Sequence, residues 1–504
     1  MDYKEILDVE SKKLLGLFNL LRATDDGKSL ETLSKELELN AKTIIRSIKK
    51  LKKLFIHYQL ENQLAIGCHE RNLFYLKRDN NLYLEIFLVQ YLSDLPEIIF
   101  LKTIIEGNSG STDKLIETMS ISESSLRRRA NKINRWLKKY NMSLKRGSWE
   151  LLGEEEQIRA LVLDFYWFAY QGQKQKLMIL AKENSRQLCT KLISFFNMQI
   201  NDLQKEMLSR MIQITVWRHQ SGYKVRIKKH WKQYIENSAV FTNFIRSMET
   251  EREVTKLNFE ELTYIYLMIQ AYFLAYVGSN MQAFLIEEHY LKKTTCYAMT
   301  LTTSRKLRQV FWGEKINHSK KSVVAFLGFH LYYDLISGFF FEKVQLKTVF
   351  EENYPIFTCK LNEAVDELIK ENLYYQSIPK EALNFRYFMI LSSLISPVYN
   401  EKRIFICLMT DLPLEMEVDI GNRITNFFMN KFNLVVIYAR TSNSISYVDI
   451  ILTTVVYQAI NCKYPQPTLL IEPDISEILL FQIESLIKKV RNEALSKKCV
   501  KINK

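Results

Sequence analysis

Ser124, Arg127, Arg128, Asn131 and Arg135 follow one another at steps of three and four, with Arg127 and Arg128 adjacent. That spacing places side chains on one face of a helix. The side-chain types suit recognition of a nucleic acid rather than bond breaking. An Asn amide can pair with the edge of adenine, and a guanidinium can read guanine or hold phosphate. The element that would carry them is legible around them. Leu126, Ala130, Ile133 and Leu137 recur at i, i+4, i+7 and i+11 and form the buried stripe of the same helix. Ser122 is placed to cap it, because a serine hydroxyl accepts a hydrogen bond from an orphan N–H of the first turn. A shorter helix with Leu115, Ile116 and Met119 precedes it across the turn Ser120-Ile121-Ser122. Helix, short turn, helix is the arrangement whose second helix enters a DNA major groove. Met142–Leu152 reads as two short strands around Gly147, a wing with Lys145 and Arg146 near its tip. From Arg127 to Arg146 there are nine Lys or Arg and no acid. A basic run alone is commonly just a solvated face. Turn, cap, stripe and wing together point to double-stranded DNA.

A second such unit is expected near the N-terminus. Leu14, Leu15, Phe18 and Leu21 mark a first helix, and Leu30, Leu33 and Leu37 a second. Asn40 can cap a third, which buries Ile44, Ile48 and Leu51 and presents Thr43, Arg46, Lys49 and Lys50. Leu64-Ala65-Ile66 reads as a wing strand. The alternative is a degenerate unit kept for packing.

The chain has 504 residues, a net charge of +14, 47% hydrophobic residues, and only 14 Gly and 8 Pro. This composition implies a mainly helical globular protein with a polyanionic partner. The charged N-terminus is not that of a signal peptide, and no apolar run approaches a membrane span; Ile98–Ile105 and Phe339–Phe341 are too short. The seven cysteines at 68, 189, 296, 359, 407, 462 and 499 are scattered. Neither a disulfide frame nor a zinc site is expected, and reduced thiols fit a cytoplasmic location. No catalytic residues, cofactor or metal are expected, since no phosphate loop, dinucleotide fingerprint, HExxH or GxSxG is present.

From Tyr170 to Pro397 the chain reads as helix after helix. Met211–Tyr223 followed by Phe259–Tyr276 has a counterpart in Val323–Gly338 followed by Glu381–Ser396, which suggests a repeated pair of helical domains. From Glu401 compact apolar runs (Arg403–Met409, Leu434–Tyr438, Val448–Thr453, Thr468–Ile471) alternate with helices over Glu417–Lys431 and Ile475–Arg491, a small parallel α/β domain. The basic stretch Lys224–His230 reads as a solvated loop.

This layout, with SESSLRRRANKIN, the following LLGEEEQIRALV and VWRHQSGYKV, resembles the Mga/RofA-like (AtxA-related) family of stand-alone virulence regulators from Gram-positive bacteria. The resemblance implies two N-terminal helix-turn-helix units (residues 1–75 and 76–168), two all-helical domains of the phosphotransferase-regulated (PRD) kind (169–290 and 291–398), and a C-terminal α/β domain similar to enzyme IIB of the sugar phosphotransferase system (399–504). It implies a transcription regulator, acting as a homodimer through the C-terminal domain on promoter DNA. RNA polymerase and a phosphotransferase phosphocarrier protein would be its protein partners. Regulatory domains of this kind carry a phosphorylatable His about seven residues before an Arg. Met211 stands there before Arg218, Met268 in the later helix, and Phe388 in the second domain. His330 is the one positional match, although Ser337 replaces the Arg. Its alternative role is a core histidine satisfied by a backbone carbonyl. The IIB nucleophilic Cys is absent from the loop Thr410–Pro413, and Cys407 lies within the strand. Two other classes compete: a phosphotransferase component, and an RNA antiterminator sharing the helical domains.

Overall fold

The structure is a computed structural model that describes residues 3–24, 27–69, 73–107, 112–170, 182–311, 320–336, 350–438, 445, 447–455 and 464–502. Ser337 and Cys462, and with them the stretch Phe339–Phe341, lie outside these. The chain divides into two compact units, one formed by residues 1–300 with 327–342, the other by 301–326 with 343–504.

The first unit opens with α1 (Val9–Arg22), whose first turn is capped by Asp8, the carboxylate accepting from Ser11 N at 2.6 Å. There follow β1 (Lys28–Ser29), α2 (Leu30–Leu37), α3 (Ala41–His57), β2 (Leu64–His69) and β3 (Leu73–Arg78). The strands form an antiparallel sheet in the order β1-β3-β2, with Leu64 opposite Arg78 and His69 opposite Leu73. The wing strand expected at Leu64–Ile66 is thus one arm of a full hairpin. Its second arm, LFYLKR, is half-buried over Leu73–Tyr75 and alternates only once, at Leu76 and Lys77, so it carries little strand periodicity. Phe18, Phe55 and Phe87 meet at centroid distances of 4.8 and 4.9 Å and join this bundle to α4 (Asn81–Ser93).

Next come α5 (Pro96–Ile105), α6 (Thr112–Met119), α7 (Glu123–Lys138), β4 (Ser143–Leu144), β5 (Leu151–Leu152) and α8 (Glu155–Tyr170). A run of helices completes this unit. It comprises α9 (Lys182–Phe195), α10 (Asp202–Gln220), α11 (Lys232–Ile235), α12 (Ala239–Ser247), α13 (Glu249–Thr255), α14 (Phe259–Phe273), α15 (Ser279–Leu291), the start of α16 (Thr295–Phe311) and the latter part of α17 (Lys320–Leu335). In α17, Gly328 lets two helices approach closely, since a Cβ there would meet the carbonyl oxygen of Ala271 in α14 at 3.2 Å.

The second unit contains α18 (Pro355–Glu371), α19 (Leu373–Gln376), α20 (Lys380–Ser392) and the α/β segment β6 (Ile404–Met409), α21 (Leu414–Phe428), β7 (Leu434–Tyr438), β8 (Ile450–Thr453), β9 (Thr468–Leu470) and α22 (Glu477–Ile502). The strands are all parallel, in the order β7-β6-β8-β9. β8 is buried throughout, as a parallel strand covered on both faces must be. Ile404, Ile406, Ile450 and Leu452 pack on Ile420, Ile424 and Phe428 of α21 and Ile483 and Ile487 of α22. Glu401 caps α18 from a distance in sequence, its carboxylate accepting from Phe357 N at 2.9 Å and Ile356 N at 3.3 Å. Cys407 is fully buried among Ile445, Val448 and Ile451.

Candidate nucleic-acid interface

The α6–α7 turn is held as its residue types require. Ser120 takes φ 50°, and Ile121 N donates to the carbonyl of Ile116 at 3.3 Å, closing α6. The Ser122 hydroxyl accepts from Ser125 N at 3.3 Å and starts α7. Leu126, Ala130, Ile133 and Leu137 are buried as the stripe predicts, and Trp136 joins them. On the opposite face Ser124, Arg127, Arg128, Asn131 and Arg135 are all exposed. Arg127 donates to Glu123 one turn back at 2.6 Å. Both partners are exposed, so the pair is weak and leaves Arg127 available to another anion.

Three of the nine basic residues are engaged elsewhere in the chain, among them Lys139, which pairs with Glu5 at 2.5 Å. Arg129 is turned inward onto Glu97, at 3.1 Å, and onto the Ser125 hydroxyl. Lys132 donates to the carbonyl oxygen of Leu7. Both positions flank the apolar stripe, so this was legible from the helical wheel. The wing is pinned to α7 by Leu144 N, which donates to Asn134 Oδ1 at 2.9 Å. Its tip turns at Gly147 (φ 85°), where no neighbour lies close and the positive φ is what requires glycine. Lys145 and Arg146 are exposed there, and Lys145 lies 3.5 Å from Glu150.

In the N-terminal unit Asn40 caps α3 through Thr43 N at 2.8 Å. Arg46, Lys49 and Lys50 are exposed and Thr43 is half-buried. Lys50 donates to Glu10 of α1 at 2.7 Å. α3 and α7 are therefore both side-chain-capped helices that follow a shorter helix across a short turn. The sequence reading missed what ties the N-terminal segment to α7 and α8. Tyr3 stacks on Phe168 at 4.2 Å, approaches Trp136 at 5.3 Å, and donates its hydroxyl to Asp164 at 2.9 Å. Burial pushes the Asp164 carboxyl up to about 6, well above the ordinary range.

Residues 80–166 match the family described as the Mga helix-turn-helix domain. The matched segment runs from α4 into α8. The chain is also 23% identical over 251 residues to the capsule synthesis positive regulator AcpB of Bacillus anthracis, a stretch covering 49% of this chain and 50% of that protein. The match thus spans about half the length of the relative.

The Mga domain's last helix, α8, is locked to the helices that follow by buried charges. Arg159 donates to Glu155 at 2.8 Å, to both carboxylate oxygens of Glu261 in α14, one at 2.9 Å, and to the carbonyl of Tyr223 at 3.2 Å. Arg218 of α10 grips Glu155 at 2.9 and 2.6 Å and lies 3.8 Å over the Tyr223 ring. Burial opposes the charge of Arg159, but hydrogen bonds and the negative charges of Glu261 and Glu155 outweigh it and hold its pKa above the ordinary value. The stretch Lys224–His230, read as a solvated loop, is largely exposed but is tied into this lock at Val225 and Lys228. Val225 N donates to Glu261 at 3.1 Å, Lys228 pairs with buried Glu156, and His230 Nε2 lies 3.0 Å from the carbonyl oxygen of Asp334. Lys224, Arg226, Lys229 and His230 keep the exposure expected of a basic loop.

His330 is fully buried in α17, with Nδ1 2.9 Å from the Thr300 hydroxyl of α16. Burial lowers its pKa to about 3, so the ring is neutral. In this conformation no phosphoryl donor can reach it. The ring is buried as a core histidine would be, with a hydroxyl at Nδ1. Met211 and Met268 line one small cavity with Tyr264 and Tyr272. Phe388 is buried. Among the described residues no helix is long and apolar enough to cross a membrane, and no cluster of His, Cys, Asp and Glu could hold a metal ion.

Proposed function

We propose that the chain is a DNA-binding transcription regulator that reads promoter DNA with α7, holds phosphates with the wing residues Lys145 and Arg146, and makes a second contact through α3. The observation that carries this is the division of α7 into a buried apolar stripe and an exposed face of Ser124, Arg127, Arg128, Asn131 and Arg135. The relative's description as a positive regulator of capsule synthesis supports an activator of virulence or surface genes. Retardation of promoter fragments by the purified chain tests the reading. Binding should weaken steeply with salt, each phosphate contact adding a slope of about −0.9 in log K against log salt. Failure to retard any promoter fragment at low salt sinks it.

Self-association through the C-terminal α/β segment fits the same reading, because two-fold pairing doubles the DNA contacts. Ile478 and Phe481 of α22 lie one turn apart and are 72% and 69% exposed. Ile478→Glu with Phe481→Glu should convert dimers to monomers in sedimentation; dimers that persist place the interface elsewhere. The parallel sheet supports a IIB-like domain, and the burial of Cys407 inside β6 supports its use for association rather than phosphoryl transfer. Phosphorylation at His330 would first require α16 and α17 to part.

A further inference from the structure

A notch of about 160 Å³ lies between α1 and α3, lined by Val9, Glu10, Lys13, Thr43, Arg46, Ser47 and Lys50. A water's share of liquid volume is about 30 Å³, so the notch has room for a tetrahedral oxyanion. Its donors are of two kinds: the cations Lys13, Arg46 and Lys50, and the hydroxyls of Thr43 and Ser47. Glu10 is the one carboxylate in the lining, and it takes the Lys50 ammonium at 2.7 Å. The Lys50 side chain is 46% exposed and that of Glu10 57%, so the pair is wet and its strength small. Placement in the first turn of α1 gives Glu10 a reason to be acidic, since a carboxylate there meets the positive end of the helix dipole. That reason does not account for a second basic residue of α1, Lys13, lining the same notch as the recognition-helix cations.

We propose that the notch seats one phosphate of the DNA backbone, with Glu10 as a counter-charge that the phosphate displaces and Lys13 as a contact contributed by the first helix. This rests on the DNA-binding reading above and adds to it. The N-terminal unit would grip the backbone with two helices at once, and its grip would be weakened in advance by an internal acid. An internal carboxylate on the same lysine competes with phosphate at every site, specific or not, so it lowers non-specific retention along with the rest.

The test uses the full chain and a retarded promoter fragment, with the salt slope measured alongside affinity. Glu10→Gln should tighten binding by about two- to five-fold, the fold-change equivalent of a wet ion pair. Lys13→Ala should weaken binding a few-fold and make the slope shallower by about 0.9, one phosphate contact. Both sites are at the surface, and unchanged thermal melting confirms that the fold is intact. If the wild-type chain binds no DNA, the functional reading itself fails. If the wild type binds and both variants keep its affinity and slope, the notch is a structural ion pair and the proposal is overturned. It is overturned equally if millimolar inorganic phosphate, without DNA and at matched ionic strength, raises the melting temperature of the wild type but not of Lys13→Ala while both variants keep the wild-type DNA affinity and slope, since the notch is then a site for the free anion.

Discussion

Arg159→Met should destabilise the first unit by roughly 3–5 kcal/mol, the cost of removing one partner from a buried ion pair. The size follows from what stays behind. The Arg159 side chain is 2% exposed and that of Glu261 is fully buried. Val225 N at 3.1 Å and His219 Nδ1 at 3.4 Å are the contacts left near Glu261. Glu155 fares better, because Arg218 still holds it with two hydrogen bonds. Lysine is no substitute, since one ammonium cannot reproduce the planar fork that reaches Glu155, Glu261 and the Tyr223 carbonyl together. Adding Glu261→Gln to Arg159→Met should restore part of the loss, as removing a stranded charge does. Urea denaturation of the full chain measures both. A single variant within about 0.5 kcal/mol of wild type, the range of ordinary surface substitutions, would show that the lock contributes nothing. Because Arg159 and Glu155 lie in α8 and the other groups in or beyond α10, the same variant should also loosen the Mga domain from the helices after it. Faster amide exchange in α8 and at Val225 would report that loosening.

The parts of this architecture that are local were legible, and the parts that close over distance were not. Leu126, Ala130, Ile133 and Leu137 repeat at helical spacing, so both the existence of α7 and the face it exposes could be read directly, as could Ser122 and Asn40 as caps. The strands Leu434–Tyr438 and Ile404–Met409 stood out as short apolar runs. By contrast, the second arm of the N-terminal wing is half-buried over Leu73–Tyr75 and alternates only once, at Leu76 and Lys77. Lys228 and Val225 sit in a stretch whose composition says solvent, yet their partners Glu156 and Glu261 come from helices 72 and 36 residues away. No window-based pattern carries such pairings. Glu10 illustrates the same limit at the candidate interface. Counting basic residues on α3 finds Lys50, but only the packing of α1 on α3 shows that Lys50 already has a carboxylate. His330 is a case where position within a helix suggested chemistry and the ring lies buried. An apolar helix with one histidine reads the same whether the ring faces solvent or, as here, the Thr300 hydroxyl in the core.

Arg128→Ala combined with Asn131→Ala should weaken promoter binding by at least about 30-fold and leave the melting temperature unchanged. The two residues are exposed on the face of α7 opposite Leu126, Ala130 and Ile133. Surface substitutions of this kind shift stability by about 0.5 kcal/mol or less. If each side chain reads a base edge, each is worth about 1–3 kcal/mol, and the lower bound of the sum already gives that factor. Choosing these two rather than Arg129 or Lys132 matters. Arg129 supports Glu97 and Lys132 holds the Leu7 carbonyl, so losing either would confuse recognition with folding. The comparable pair in the N-terminal unit, Arg46→Ala with Lys50→Ala, should weaken binding less. Lys50 begins paired to Glu10, so its net gain on meeting DNA is smaller. Base readout and phosphate holding also separate by sequence dependence. The α7 variant should lose discrimination between promoter and unrelated DNA, whereas the α3 variant should weaken both alike and flatten the salt slope. Equal loss from the two pairs, with discrimination falling equally in both, would mean that α3 and α7 share the reading of bases and that the ranking of the two units is wrong.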